Sequence, residues 1–283
     1  MKRVILCADD YAISPGVSEA IAALIADRRI NATSVMTVFD GLAPAARALD
    51  DAAADTGASI GLHVTLTGAF APLTAGMAEP SGTFASLPKL LLSALSRRLD
   101  AKAVAAEVEA QFAAFHDAFG RPPDHVDGHQ HVHVLPVIRT AVIAATARHA
   151  PHAFLRDVTP ARGALNGLDI KGRLIGAFSA GFARDAARAG LATNRGFGGA
   201  YDFSGDHDFA TLLGHFLAGV PDGGLVMVHP GRVDDPLVAR DPLTHQREVE
   251  YGVLRGPQWR AILDAADVSL ALPALGNAGK AAA

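Results

Sequence analysis

Short runs of contiguous apolar residues alternate along the chain with longer stretches in which apolar residues recur at helical spacing. Val4-Ile-Leu-Cys-Ala8 is the first run, of the kind expected for a parallel strand buried on both faces, and it stops at Asp9 and Asp10. Ser14 then offers an N-cap and Pro15 a first helical residue. Val17, Ala20, Ile21, Leu24 and Ile25 form a core-facing stripe, so the two aspartates are expected in a βα loop. The unit repeats as a strand over 33–38, an alanine-rich helix over 42–54 and a strand over 59–66 that carries His63.

From 67 to 100 the rhythm breaks. Pro72, Gly76, Pro80, Gly82 and Pro88 surround one apolar cluster at 87–95, which marks an insertion or lid. Val104, Val108, Phe112, Phe115 and Phe119 then trace a helix that Gly120 closes, and Pro122-Pro123 leads into a fourth strand. Further on, the pattern predicts helices over 135–149 and 170–190 with a short strand over 153–156 between them. A glycine-rich loop over 194–205 and a helix over 209–217 follow. A buried strand over 225–229 then ends at His229 before Pro230-Gly231, and after a charged loop come a helix over 247–254 and a last strand over 268–272. Residues 276–283 read as a frayed, flexible tail. No solenoid repeat and no linker divides the chain, so a single domain is expected over 1–275.

Alternating strands and helices imply a parallel sheet, and about eight right-handed crossovers tend to close such a sheet into a barrel. Composition agrees with a large core: half of the 283 residues are hydrophobic and 19% are charged. A net charge of −4 gives no basic footprint for nucleic acid or an anionic membrane, which favours a small neutral substrate. Cys7 is the one cysteine, so no intrachain disulfide can form. The first apolar run is far too short for a signal core or a membrane span, and a cytoplasmic enzyme is expected.

Candidate chemistry concentrates in His125-Val-Asp-Gly-His-Gln-His-Val-His133, where four of twelve histidines and Asp127 fall on every second residue. In an extended strand these would share one face. Residues two apart stand roughly 6.5–7 Å from each other and can converge on one ion, whereas residues four apart cannot without a bend, so at most two or three serve one metal. In a βα barrel the strand ends bring Asp9, Asp10, His63, Asp127, His129 and His229 to one rim. A carboxylate and two imidazoles suit Zn²⁺ or another divalent ion acting as Lewis acid and water activator. A second carboxylate can then take a proton from water and a histidine opposite can donate one, roles that fit Asp9 and His229. Arg156, Tyr201 and Arg247 are more often structural than catalytic when taken singly.

The elements Ala8-Asp-Asp-Tyr11 with Ser14 and 17–20, Gly61-Leu-His63, the histidine run 125–133 and Val228-His-Pro-Gly231 occur in an order and spacing that resembles the YdjC-like carbohydrate deacetylases. That family includes bacterial chitooligosaccharide deacetylases and hopanoid-linked deacetylases. The resemblance runs from residue 4 to about 255. It implies a deformed βα barrel of the polysaccharide-deacetylase type and hydrolysis of an N-acetyl group from an acetylated amino sugar. It also carries metal ligands onto Asp10, His63 and His129, the base onto Asp9 and the acid onto His229. Tyr11 matches an aromatic that commonly follows the aspartate pair. His131 and His133, with Asp127, Arg156, Tyr201 and Arg247, then fall to orienting the site or touching sugar.

The implied cofactor is one divalent ion, Zn²⁺ or Mg²⁺ first and Co²⁺ or Ni²⁺ as alternatives. The implied partner is an oligosaccharide or glycolipid. A homodimer through exposed helix faces is allowed, although no segment marks its interface. Two rivals keep the barrel. An amidohydrolase or phosphoesterase would usually place His-x-His at the end of the first strand, where this chain has Asp9-Asp10. A non-catalytic sugar-binding barrel has no use for Asp9 and His229.

Overall fold

The computed structural model describes residues 1–161, 176–203 and 207–272. Its sheet contains β1 (Lys2–Tyr11), β2 (Ala32–Val35), β3 (Ser59–Val64), β4 (His125–Gly128), β5 (Phe154–Leu155), β6 (Ala192–Thr193), β7 (Phe197–Gly198), β8 (Gly224–Val228) and β9 (Val268–Leu270). Every pairing is parallel, in the order β6-β5-β4-β3-β2-β1-β8-β7, with β9 beside the start of β1. The chain leaving β5 bonds back to β7: Ala161 N–H donates to Phe197 O at 2.9 Å and Phe197 N–H to Thr159 O at 3.1 Å. Those two bonds curl the strand path back on itself, and the result is the deformed βα barrel expected from the alternation of strands and helices.

The helices are α1 (Pro15–Ala26), α2 (Leu42–Ala53), α3 (Leu87–Leu95), α4 (Ala101–Phe119), α5 (Ile138–His149), α6 (Phe182–Arg188), α7 (Phe209–Gly219), α8 (Asp235–Arg240), α9 (His245–Arg255) and α10 (Trp259–Ala265). Their ends follow local chemistry. The Ser14 hydroxyl caps α1 through Val17 N–H, and the Asp100 carboxylate caps α4 through Lys102 and Ala103 N–H. Gly120 ends α4 at φ 65°, a left-handed position that glycine takes without strain. The predicted stripe of α1 is buried throughout, from Val17 to Ile25. No helix among the described residues is long and apolar enough to cross a membrane.

Several expectations are corrected. Asp9 and Asp10 lie within β1 and not in a loop, because a register shift between Ala8 and Tyr11 lets the strand continue pairing with β2 while Asp10 turns to φ 67°. The glycine-rich loop contains β7, and β6 precedes it. Strands of two residues leave too little pattern to read, and a Cβ at Gly199 would stand 2.1 Å from Met227 O, so close backbone approach explains that glycine. The charged loop after β8 holds α8, a helix of six residues capped by Asp234, and α10 was not anticipated. Of the helix expected over 170–190, α6 falls within the described residues, while 170–175 and the tail 276–283 lie outside them.

The insertion has a 3₁₀ turn (Ala75–Met77) and α3, and α4 grips it with a buried carboxylate. Glu107 accepts from Leu73 N–H, Thr74 N–H, the Thr74 hydroxyl and the Gln111 amide at 2.7–3.1 Å. Gln111 in turn exchanges two hydrogen bonds with the Thr65 backbone just past β3. The insertion is thus fixed to the barrel at its root.

His125 shows why one member of the histidine run belongs to the core. Its Nδ1 lies 2.8 Å from Ser59 Oγ, its ring stacks on Phe154 at 5.0 Å, and burial pushes its pKa down to about 4. Gly61 makes room for it: a Cβ there would stand 2.3 Å from His125 Nε2. Gly61→Ala is therefore expected to destabilise the protein by about 1–3 kcal/mol, read from urea or thermal unfolding. An unchanged midpoint would mean that the ring moves aside freely.

Candidate metal and active site

Three candidate ligand atoms converge where β1, β3 and β4 end. Asp10 Oδ1 is 3.2 Å from His63 Nε2 and 2.9 Å from His129 Nδ1, and all three side chains are buried. Ligands about 2.1 Å from a tetrahedral ion stand roughly 3.4 Å from one another, so this set fits a divalent ion after an opening of a few tenths of an ångström. Two further groupings, Cys7-His125-Asp127 and Asp9-His63-Asp127, are equally compact among the described residues. Both are disfavoured because Arg156 occupies Cys7 Sγ, both oxygens of Asp9 and Asp127 Oδ2, whereas Arg247 takes only Oδ2 of Asp10 and leaves Oδ1 to the two imidazoles.

The bend that brings His129 to Asp10 corrects the expected extended run. β4 stops at Gly128, and residues His129–Val134 form a 3₁₀ turn in which Gln130 and His131 are left-handed, at φ 52° and 60°. Neither is glycine, so the turn carries strain that the surrounding contacts must offset. It sends the three histidines to different places. His129 reaches Asp10, His133 Nε2 lies 2.8 Å from Arg156 O, and His131 meets the Phe197 ring edge-on at 5.4 Å. A Cβ at Gly128 would stand 3.1 Å from both His133 Nδ1 and Val64 O, so the turn also depends on that glycine.

Around the ligand set, charges are paired with care. Arg156 donates to both oxygens of Asp9 at 2.6 Å and also pairs with Asp127 Oδ2. Asp127 Oδ1 lies 2.7 Å from His63 Nδ1, which Ser34 Oγ approaches at 3.0 Å, so the opposite nitrogen of His63 is aimed at Asp10. Arg247 donates to Asp10 Oδ2 at 2.6 Å and pairs with Asp241. Burial disfavours the charged form of Asp10, yet the Arg247 and His129 charges hold its carboxyl well below the usual range.

Burial likewise works against charge on His63, but the Asp127 charge, hydrogen bonds with Asp10 and Asp127, and the Asp9 charge together push it up to about 10. An ion taken up at Nε2 must therefore displace a proton. Between pH 6 and 8 the apparent affinity for Zn²⁺ is expected to rise about tenfold per pH unit, with about one proton released per ion, as read by calorimetry in buffers of different ionisation enthalpy. An affinity flat across that range would contradict the proton held at His63.

His229 follows β8, with its ring against the Phe203 edge at 5.2 Å. Burial lowers its pKa to about 4, against the pull of the Asp10 and Asp9 charges. The electrostatic neighbours of His131 are Arg156, His133, His229 and His63, which places it beside the same cluster. Tyr11 turns elsewhere: its hydroxyl donates to Ala45 O in α2 at 2.8 Å. Tyr201 donates to Glu250 Oε1 at 2.6 Å, so its hydroxyl is already engaged.

Sequence reasoning missed Ser34, Asp241 and Glu250. The signal for Glu250 was present: on α9, Arg247, Glu250, Tyr251 and Leu254 share the buried face, and charged residues at core positions of a helical stripe need partners.

The molecule is therefore a parallel βα barrel with a candidate metal centre at the carboxyl ends of its strands. Within that class it belongs to the YdjC-like family, whose model, described as YdjC-like protein, matches residues 3–265. A chitooligosaccharide deacetylase of Yersinia pestis (strain Pestoides F) and one of Yersinia pseudotuberculosis serotype O:3 (strain YPIII) are each 36% identical to it over 150 residues. Each match takes in 52% of this chain and 56% of the relative, so the chain spans about half the length of the curated relatives it matches. A solved structure from Enterococcus faecalis V583, described as a cellobiose-phosphate cleavage protein, superposes with a TM-score of 0.72 at 20% identity. It covers 95% of this chain and 97% of its own, which shows the shared fold.

Proposed function

We propose that the chain is a metal-dependent hydrolase that removes the N-acetyl group from an acetylated amino sugar. The observation that carries this reading is the convergence of Asp10, His63 and His129 with an aspartate they leave free, Asp9, and a histidine, His229, within electrostatic reach of both aspartates. The chitooligosaccharide deacetylases among its relatives support the substrate class. A purely sugar-binding barrel would have no need of Asp9 and His229.

A divalent ion held by Asp10, His63 and His129, with Zn²⁺ or Mg²⁺ preferred to Co²⁺ or Ni²⁺, would polarise the acetyl carbonyl and make water easier to deprotonate. Asp9 is the group that takes the proton. Arg156 fixes both of its oxygens; Oδ1 also meets the Ser34 hydroxyl at 3.4 Å, so Oδ2 is the oxygen that keeps a second lone pair for a water molecule. Asp127 and Ser34 hold the His63 ring in register. Burial favours the neutral form of His229, so it must first take up the proton it gives to the departing nitrogen; the proton that Asp9 removes from water supplies the balance, and the nearby charges of Asp10 and Asp9 favour that uptake. Phe203, half-buried and edge-on to His229, offers apolar surface to a sugar ring, while Phe70 is buried and packs edge-on against the His129 ring. The insertion that contributes Phe70 lies against His129 and is assigned to shaping the substrate side of the site.

The test is acetate release, coupled to metal analysis, from N-acetylated monosaccharides, oligosaccharides and lipid-linked glycosides. Acetate is expected from at least one class and lost on chelation. Phosphate release from phosphoesters with no acetate from any sugar would replace this reading with a phosphoesterase.

A further inference from the structure

We infer that Glu250 is the positioning residue of His229, acting through the backbone and not through the imidazole. This inference rests on the deacetylase reading and assigns it a further residue.

His229, Pro230 and Gly231 have two backbone N–H groups between them, because proline has none. Both go to α9. His229 N–H donates to Glu250 Oε2 at 2.6 Å, and Gly231 N–H donates to Arg247 O at 3.0 Å. The imidazole has no comparable anchor. Its Nδ1 is buried without a hydrogen-bond partner among the described residues, where a catalytic histidine is ordinarily oriented by a carboxylate or carbonyl on that nitrogen. The direction of the ring is therefore set by where the backbone of 229–231 is pinned, together with the Phe203 edge.

Glu250 suits that task. Its carboxyl is wholly buried, which is tolerated only where donors satisfy it, and Tyr201 takes the other oxygen at 2.6 Å. Tyr201 thereby fixes the carboxyl that fixes His229, which gives its buried hydroxyl a purpose. One turn earlier on the same helix, Arg247 donates to Asp10 Oδ2. α9 is thus a rigid brace that registers the acid against a metal ligand brought in by a distant strand.

The experiment compares two reactions of the metal-loaded protein. Breaking the amide of an N-acetylated sugar needs a proton on the leaving nitrogen, whereas p-nitrophenyl acetate has a leaving group that departs without one. Glu250→Asp keeps the carboxyl group but draws it back by about 1.5 Å, one bond length. Glu250→Gln keeps the reach, with its oxygen able to accept from His229 N–H and its amide able to donate to the Tyr201 oxygen.

Glu250→Asp is expected to lower kcat for acetate release at least about thirtyfold more than kcat for ester hydrolysis, with KM little changed. Glu250→Gln should recover most of that difference, and His229→Ala should show the same preference for the ester. Proportional loss of both reactions in the two Glu250 variants, with wild-type acetate release intact, overturns the inference and leaves the deacetylase reading standing. Wild-type protein that releases no acetate from any N-acetylated sugar overturns both.

Discussion

Asp9→Asn is expected to lower acetate release by about 10²–10⁴-fold while metal content stays at the wild-type level. The carboxylate lies outside the Asp10-His63-His129 set, so the substitution leaves that set intact and removes only the proposed proton acceptor. The amide is nearly isosteric but can accept only one of the two Arg156 hydrogen bonds and turns a donor toward the other. Arg156 keeps its pairing with Asp127, which limits structural damage. Single-turnover kinetics beside metal analysis and a thermal midpoint would check this. Near-normal turnover in the asparagine variant would mean that another group takes the proton.

His63→Ala should act at the other end of the site and release the ion. It deletes a proposed ligand nitrogen and leaves Asp127 without the ring that it orients, so affinity is expected to fall by at least about a hundredfold. Excess metal should then restore part of the activity, which it would not do for Asp9→Asn. Equilibrium dialysis with Zn²⁺ separates the two outcomes, and wild-type affinity in the alanine variant would place the ion elsewhere.

The positions of these groups were legible because of where they fall. Asp9-Asp10, His63 and His229 each stand at the end of a contiguous apolar run, and barrel geometry gathers strand ends on one rim. The histidine run was only half legible. Its alternation predicts an extended strand, and nothing local announces that Gln130 and His131 adopt left-handed backbones, since tertiary contacts impose them. β6, β7 and α8 were lost for a simpler reason, since two to six residues are too few for a period to show. Glu250 was lost among the residues of a helix, where a buried acid is evident only once its donors are in view.

Arg156 is one cation answering to two anions. Withdrawing either Asp9 or Asp127 leaves its charge less evenly matched and shifts what the survivor experiences, so substitutions at the two aspartates will not add. Three positions from three different strand ends therefore behave as a single electrostatic unit, and a change at one is felt at the other two.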